Sequence, residues 1–236
     1  MKIVYLIAGT YRPAGMERVL AQKANWFAAR GSEVVVVTTD QRGRKPAFGL
    51  DASIRCIDLG INYEENNGGS FADKLLHYPA KQLRHRRRLS ALLKTEKADI
   101  VVSMFCNDAS FVPDIKDGSR KVLEIHFSRF KRLQYGRKGM WALADRWRSR
   151  NDMRIVRRFD RFVVLTEEDR GYWEQTEPLE NICVIPNART FVLPESDCRN
   201  NVNRIVLAVG RYNTQKAFDR LLRVWARLQM NADQSI

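Results

Sequence analysis

The chain has 236 residues, of which 44% are hydrophobic and 10% aromatic, enough to core one large domain or one and a half and too many for a disordered chain. Its formal net charge is +14, from 41 basic and 27 acidic residues. No apolar run approaches the roughly 20 residues of a membrane helix, and four cysteines without a Cys-x-x-Cys pair, with three histidines at no metal-binding spacing, exclude a structural zinc site and predict a reducing, cytoplasmic setting.

In chain order, Met1 and Lys2 lead straight into an apolar run over 2–8. It is too short for a signal peptide and reads as a strand buried on both faces. After a loop, Met16, Val19, Leu20, Ala24 and Phe27 mark a helix ending near Gly31. A valine-rich second strand spans 33–39, a third spans 54–59, and 62–70 is a polar, mobile loop. Residues 71–97 read as helical, with Pro79 expected to kink or restart the helix. Strands follow at 99–104 and 121–125, with a short helix between them at 107–115. A long helix is expected at 139–159, with Met140, Ala144, Trp147 and Ile155 inward and arginines outward. A strand at 161–165, a helix at 167–175 and a short strand at 182–185 complete the pattern. The stretch 186–203 lacks periodicity, and 204–209 opens a new strand before an apolar-periodic helix carrying Phe218, Leu221, Leu222, Trp225 and Leu228.

The expected fold class is therefore α/β: a doubly wound, mostly parallel Rossmann-like sheet, plus the first βα unit of a second such domain. The domain expectation is 1–190, a linker at 191–203, and an incomplete second domain at 204–236. In such sheets ligands bind beyond the carboxyl ends of the strands, which directs attention to the loops after Ala8, Ile125, Leu165 and Val209. The first of these is no dinucleotide fingerprint, because Gly9 and Gly15 are too far apart and a third glycine is missing.

The charge is local. Residues 74–97 carry a net +7 and residues 129–161 a net +9, leaving the remainder close to neutral. Such segments suit an anionic lipid surface or a nucleic acid. Arg86, Arg87 and Arg88, with Arg146 and Arg150 on the later helix, are the candidate contacts, at roughly 1 kcal/mol per basic side chain near a membrane. Against nucleic acid, the aromatics do not interleave with the basic residues. The other reading of the same residues is an ordinary solvated helix face.

At the last turn, Gly210-Arg211 and Gln215-Lys216 place two cations between a strand and a helix, a position that favours a diphosphate. A βα loop with two solvated basic residues is the alternative. This stretch resembles the start of the nucleotide-sugar domain of family 4 glycosyltransferases, with Ala217 where glycine is usual. Gly15-Met16-Glu17-Arg18 resembles the family's Gly-Gly-x-Glu-Arg turn, with Ala14 replacing the first glycine. His126, past the strand at 121–125, resembles the family's sugar-binding histidine, and the stretches at 162–168 and 182–187 resemble its remaining strand ends. For Thr166 a helix N-cap is the preferred role, and turn chemistry accounts for Asn187 as well as a place in the cleft does.

The resemblance implies the GT-B fold and a retaining transferase that moves a sugar from a nucleotide-sugar donor to a glycan or lipid-linked acceptor, in lipopolysaccharide, capsule or other cell-surface polysaccharide assembly. It implies His126 as the catalytic-site histidine and Gly15, Arg211 and Lys216 as donor-binding residues. It also implies no cofactor and no metal. The cysteine usage and the basic segments together give the expected place, the cytoplasm, peripheral on the inner face of the plasma membrane. The family's glutamate pair would fall beyond Ile236, so the chain by itself is expected to have little or no activity. The rival class is a non-catalytic basic module for anionic membrane or nucleic acid.

Overall fold

The computed structural model describes residues 1–66, 71–130, 139–175, 177–189, 206–210, 212 and 216–233. The chain divides into two compact units. One comprises Met1–Arg129 with Arg148–Thr190, and the other Phe130–Trp147 with Phe191–Ile236.

The first unit holds a seven-stranded sheet in the order β3-β2-β1-β4-β5-β6-β7, and every described pairing is parallel. Its strands are β1 (Lys2–Ile7), β2 (Glu33–Thr38), β3 (Arg55–Asp58), β4 (Ile100–Ser103), β5 (Arg120–Glu124), β6 (Arg161–Val164) and β7 (Ile182–Val184). The helices are α1 (Gly15–Ala28), α2 (Phe71–Glu96), α3 (Met140–Val156), which runs from one unit into the other, and α4 (Glu167–Glu174).

The continuous apolar runs of β1 and β2 follow from burial on both faces. Alternate residues enter two different cores. Val4 and Leu6 pack with Leu89 and Leu93 of α2, Ile155 and Val156 of α3, and Trp173 of α4. Ile3, Tyr5 and Ile7 pack with Leu20 and Ala24 of α1 on the opposite face. Each such leucine or isoleucine contributes about 1.5–3 kcal/mol. Helix α1 ends where Gly31 turns at φ 77 and donates its N–H to the Ala28 carbonyl.

Four expectations change. Pro79 lies inside α2, which runs on as one helix rather than restarting, because a proline removes one hydrogen bond and the remaining ladder carries the other turns. The helix expected at 107–115 is a single 3-10 turn, Val112–Asp114, with Pro113 inside it. Trp147 is 67% exposed rather than inward. The buried stripe of α3 and its extension runs through Asp152, Val156 and Phe159, and Trp147 stands about 140° around the helix from Asp152 at 3.6 residues per turn. Residues 206–209 are not in a strand. Val206, Leu207 and Val209 are exposed, and no described residue pairs with them. A strand exists only against a hydrogen-bonded neighbour. In the second unit α5 (Phe218–Asp233) follows the sequence expectation and carries the apolar-periodic residues.

Candidate functional site

The strand order reverses at β1 and β4, so a crevice opens between their carboxyl ends. The loop after β4 therefore belongs to the candidate site, although the sequence reading pointed to the loops after Ala8, Ile125, Leu165 and Val209 and not to this one. Its backbone carries a signal that no residue type discloses: Phe105 sits at φ 53, a costly conformation for a side chain of that size. The Phe105 ring meets the edge of Phe127, next to His126, at a centroid distance of 5.5 Å. Cys106 packs against the core on the α1 face of the sheet, where burial and then the carboxylate of Asp108 push its thiol up. Asp108 is buried and lifted to about 6 by desolvation, and its Oδ2 has no hydrogen-bond partner among the described residues.

Gly15 opens α1 just beyond β1. Ala14, at the N-cap, is extended (φ −121, ψ 169) and supplies no side-chain cap, so no N-cap oxygen satisfies the first backbone N–H groups. A Cβ built on Gly15 would meet nothing within 4 Å. The chain's own packing does not require glycine there. What the missing side chain provides is open room at a helix N-terminus, where the dipole favours an anion.

The neighbouring loops are held by residues the motifs did not single out. Tyr11 Oη donates to Glu64 Oε2 at 2.5 Å, Arg12 Nη2 donates to Glu64 Oε1 at 2.5 Å, and the Arg44 guanidinium lies 3.2 Å from the Tyr11 ring centroid. Thr10 N donates to Gln41 Oε1 at 2.8 Å, and the Glu64 backbone N–H donates to Asp40 Oδ1 at 2.8 Å. The loops after β1, β2 and β3 are thereby tied together. Such pairs, tens of residues apart in sequence, leave no local pattern to read.

His126 lies two residues past β5. Its Nε2 is 3.3 Å from Glu124 Oε2, and Lys23 Nζ of α1 lies 3.0 and 2.9 Å from the two oxygens of the same carboxylate. Burial opposes ionisation of Glu124, but the contacts with His126 and Lys23 outweigh it and hold the carboxyl below its usual range. Thr166 caps α4, its Oγ1 accepting from the Asp169 N–H at 3.0 Å, as expected.

The basic residues divide by what they touch. Arg88 Nη1 donates to the Leu59 carbonyl and, at 3.4 Å, to that of Gly60, fastening α2 to the loop after β3. Arg86 is 3.9 Å from Asp114 Oδ2, an aspartate also paired with Arg158, while Arg87 and Arg150 are exposed. Replacing Arg88 by methionine is expected to cost about 1–3 kcal/mol of stability, since the partly buried Leu59 carbonyl loses a charged donor; an unchanged urea midpoint would disprove that anchoring role. Arg146, in the second unit, is exposed. In that unit Lys216 is exposed just before α5, and Arg211 lies outside the described residues. Ala217 adopts φ 51, the left-handed region in which glycine is favoured. Among the described residues no group of three or more His, Cys, Asp or Glu could hold a metal ion, and no helix is long and apolar enough to cross a membrane.

The seven parallel strands, two-faced core and open first helix define a Rossmann-like half of the GT-B type. The sequence profile described as Glycosyltransferase Family 4 matches residues 13–189. The chain belongs to that family. An uncharacterized glycosyltransferase of Haemophilus influenzae is 27% identical over 225 residues, which is 95% of this chain and 57% of that protein. The chain thus spans little more than half the length of this curated relative. Among solved structures, a sucrose-phosphate synthase from Thermosynechococcus elongatus superposes with TM-score 0.59 at 13% identity, over 78% of this chain and 47% of that one. WaaG, a glycosyltransferase involved in lipopolysaccharide biosynthesis, superposes with TM-score 0.51 at 18% identity, over 78% and 44%. These two likenesses concern the fold.

Proposed function

We propose that this chain is the acceptor-side part of a retaining glycosyltransferase. It serves transfer of a sugar from a nucleotide-sugar donor to a glycan or lipid-linked acceptor in lipopolysaccharide or other cell-surface polysaccharide assembly. The observation that carries the reading is the family match over 13–189, laid on a fold whose uncapped α1 opens at Gly15 beside the sheet's switch point. In this reading Gly15 and His126 hold the sugar. Arg211 and Lys216 neutralise the diphosphate as charge develops on it, the electrostatic contribution that usually dominates. The reaction uses no resident metal or cofactor, and the 236-residue chain needs second-domain sequence for turnover. The test is a transfer assay with a panel of nucleotide sugars and lipid-linked acceptors, run on this chain and on the longest translated product of its reading frame. Transfer by the longer product alone is the expected result. Normal turnover by the shorter chain overturns the need for a second domain, and no transfer by either overturns the function.

The same reading places the chain in the cytoplasm on the inner face of the plasma membrane, held there by Arg86, Arg87, Arg146 and Arg150. The support is the net +14 charge and the exposure of these four side chains. Neutralising Arg86 and Arg87 to glutamine is expected to weaken co-sedimentation with anionic vesicles about fivefold per residue, from roughly 1 kcal/mol each. Equal sedimentation of variant and parent removes these residues from the surface, and a shift with DNA but none with vesicles favours the nucleic-acid alternative.

A further inference from the structure

The Lys23–Glu124–His126 arrangement joins three elements: α1, the end of β5 and the loop after it. Lys23 and Glu124 are 101 residues apart in sequence, and their side chains are 21% and 10% exposed. The His126 side chain is 6% exposed. Removing charged groups this far from water is unfavourable unless each is partnered, and here the carboxylate has a partner on each side. Other titratable groups near this carboxylate are Tyr5 on β1 and Cys183 on β7. Burial, and then the charge of Glu124, raise the Tyr5 phenol. The Cys183 thiol is raised chiefly by burial, and Glu124 adds to the rise.

A carboxylate gripped by a lysine ammonium accepts hydrogen bonds and has no proton to give. The histidine nitrogen facing it must then be the one that carries hydrogen. In a neutral imidazole this leaves the other nitrogen with its lone pair free to accept. We propose that Glu124, itself held by Lys23, is a positioning residue that fixes His126 as its Nε2–H tautomer, so that His126 engages a sugar as a hydrogen-bond acceptor through Nδ1. The ligand group this selects is a hydroxyl, which can donate, and it discriminates against a carbonyl or ether oxygen at that position. The sugar contact rests on the function proposed above; the tautomer does not.

The experiment is a long-range proton–nitrogen NMR spectrum of the chain labelled with 15N-histidine, recorded first without ligand. The expected result is a protonated Nε2 and an unprotonated Nδ1 for His126. Glu124→Gln, which preserves shape but presents both an amide donor and a carbonyl acceptor, is expected to give a mixture of tautomers. Lys23→Arg is expected to keep the parent pattern. Amide spectra of each sample report whether the fold survives, so a merely structural loss is recognised. A protonated Nδ1 in the parent chain, or an unchanged His126 pattern in Glu124→Gln, overturns the positioning role. Addition of UDP-glucose to the longest product of the reading frame is then expected to move the Nδ1 resonance while the ring stays neutral. Protonation of Nδ1 on binding overturns the acceptor role. An immobile Nδ1 with the expected tautomer overturns the sugar contact alone.

Discussion

Replacing Gly15 by valine is expected to leave stability within about 0.5 kcal/mol of the parent, the usual range for an exposed position with no special contacts, while lowering kcat/KM for sugar transfer by about 10²-fold or more, the scale of a misplacement near 1 Å in a reacting complex. The two effects separate because the structure gives a Cβ at Gly15 open space. The first turn of α1 accepts a side chain there, and the added bulk fills the open room that the proposed function assigns to the donor. Gly9 provides the contrast, six residues upstream. A Cβ there would come within 2.6 Å of Tyr11 Cε1, so the ring must move away from Glu64 and Arg44. Gly9→Ala is expected to cost about 1–3 kcal/mol, as overpacking does. Thermal unfolding and the transfer assay, run on both variants of the longest product, distinguish the cases. Wild-type transfer by Gly15→Val ends the assignment of Gly15 to the donor site.

The second large effect is on the pH dependence of stability. His85 is buried against Phe111 with Nδ1 3.2 Å from Tyr63 Oη, and burial pushes it down to about 4 from its ordinary 6.5. Between those values the unfolded chain binds a proton that the folded one does not. Stability from this group is full above pH 6.5 and falls by about 2–3 kcal/mol as pH drops toward 4. Asp108 acts in the opposite sense. Burial lifts it from 3.8 to about 6, so the folded state holds the proton more tightly than the unfolded chain does. Its contribution is present below pH 3.8 and is lost as pH rises through 6, again by about 2–3 kcal/mol.

Between pH 4 and 6 the two slopes oppose, and the parent chain is expected to show a shallow profile. Each substitution then unmasks the other group. Asp108→Asn should lose stability steeply on acidification, and His85→Phe should gain it. Loss of the hydrogen bond to Tyr63 lowers the His85→Phe curve as a whole without changing its slope, so the slope is the readout. Denaturant midpoints across that range are the measurement. Parallel profiles for the parent and both variants would show that neither group is held as described.

Much of the candidate site was legible because its turns are local. The apolar runs at 2–8 and 33–39, each followed by loop residues, predict buried parallel strands, and β1 and β2 are found there, paired in parallel. Thr166 caps its helix through a hydroxyl three residues from its partner N–H, a spacing visible in the letters. Where the reading failed, a longer-range force decided. Trp147 is more apolar than Asp152, yet the aspartate is on the buried side of α3, because helix rotation is set by the packing of Ile155, Val156 and Phe159 further along. Val206, Leu207 and Val209 have strand composition, but composition supplies no neighbouring ladder.

By itself the sequence determined the fold class, the order along the chain of the sheet's seven strands and of the four helices α1 to α4, the position of Gly15 at the start of α1 and that of His126 just past β5. Those follow from hydrophobic period and from glycine and capping chemistry, which act over a few residues. The tertiary structure alone decided that β4 is the neighbour of β1, that Glu64 binds Tyr11 and Arg12, that Arg88 serves two backbone carbonyls, and that Lys23 and His126 share the carboxylate of Glu124. These contacts join residues tens to a hundred positions apart in most cases. Their partners are selected by the three-dimensional proximity that burial of the two cores creates, and no spacing along the chain encodes that proximity.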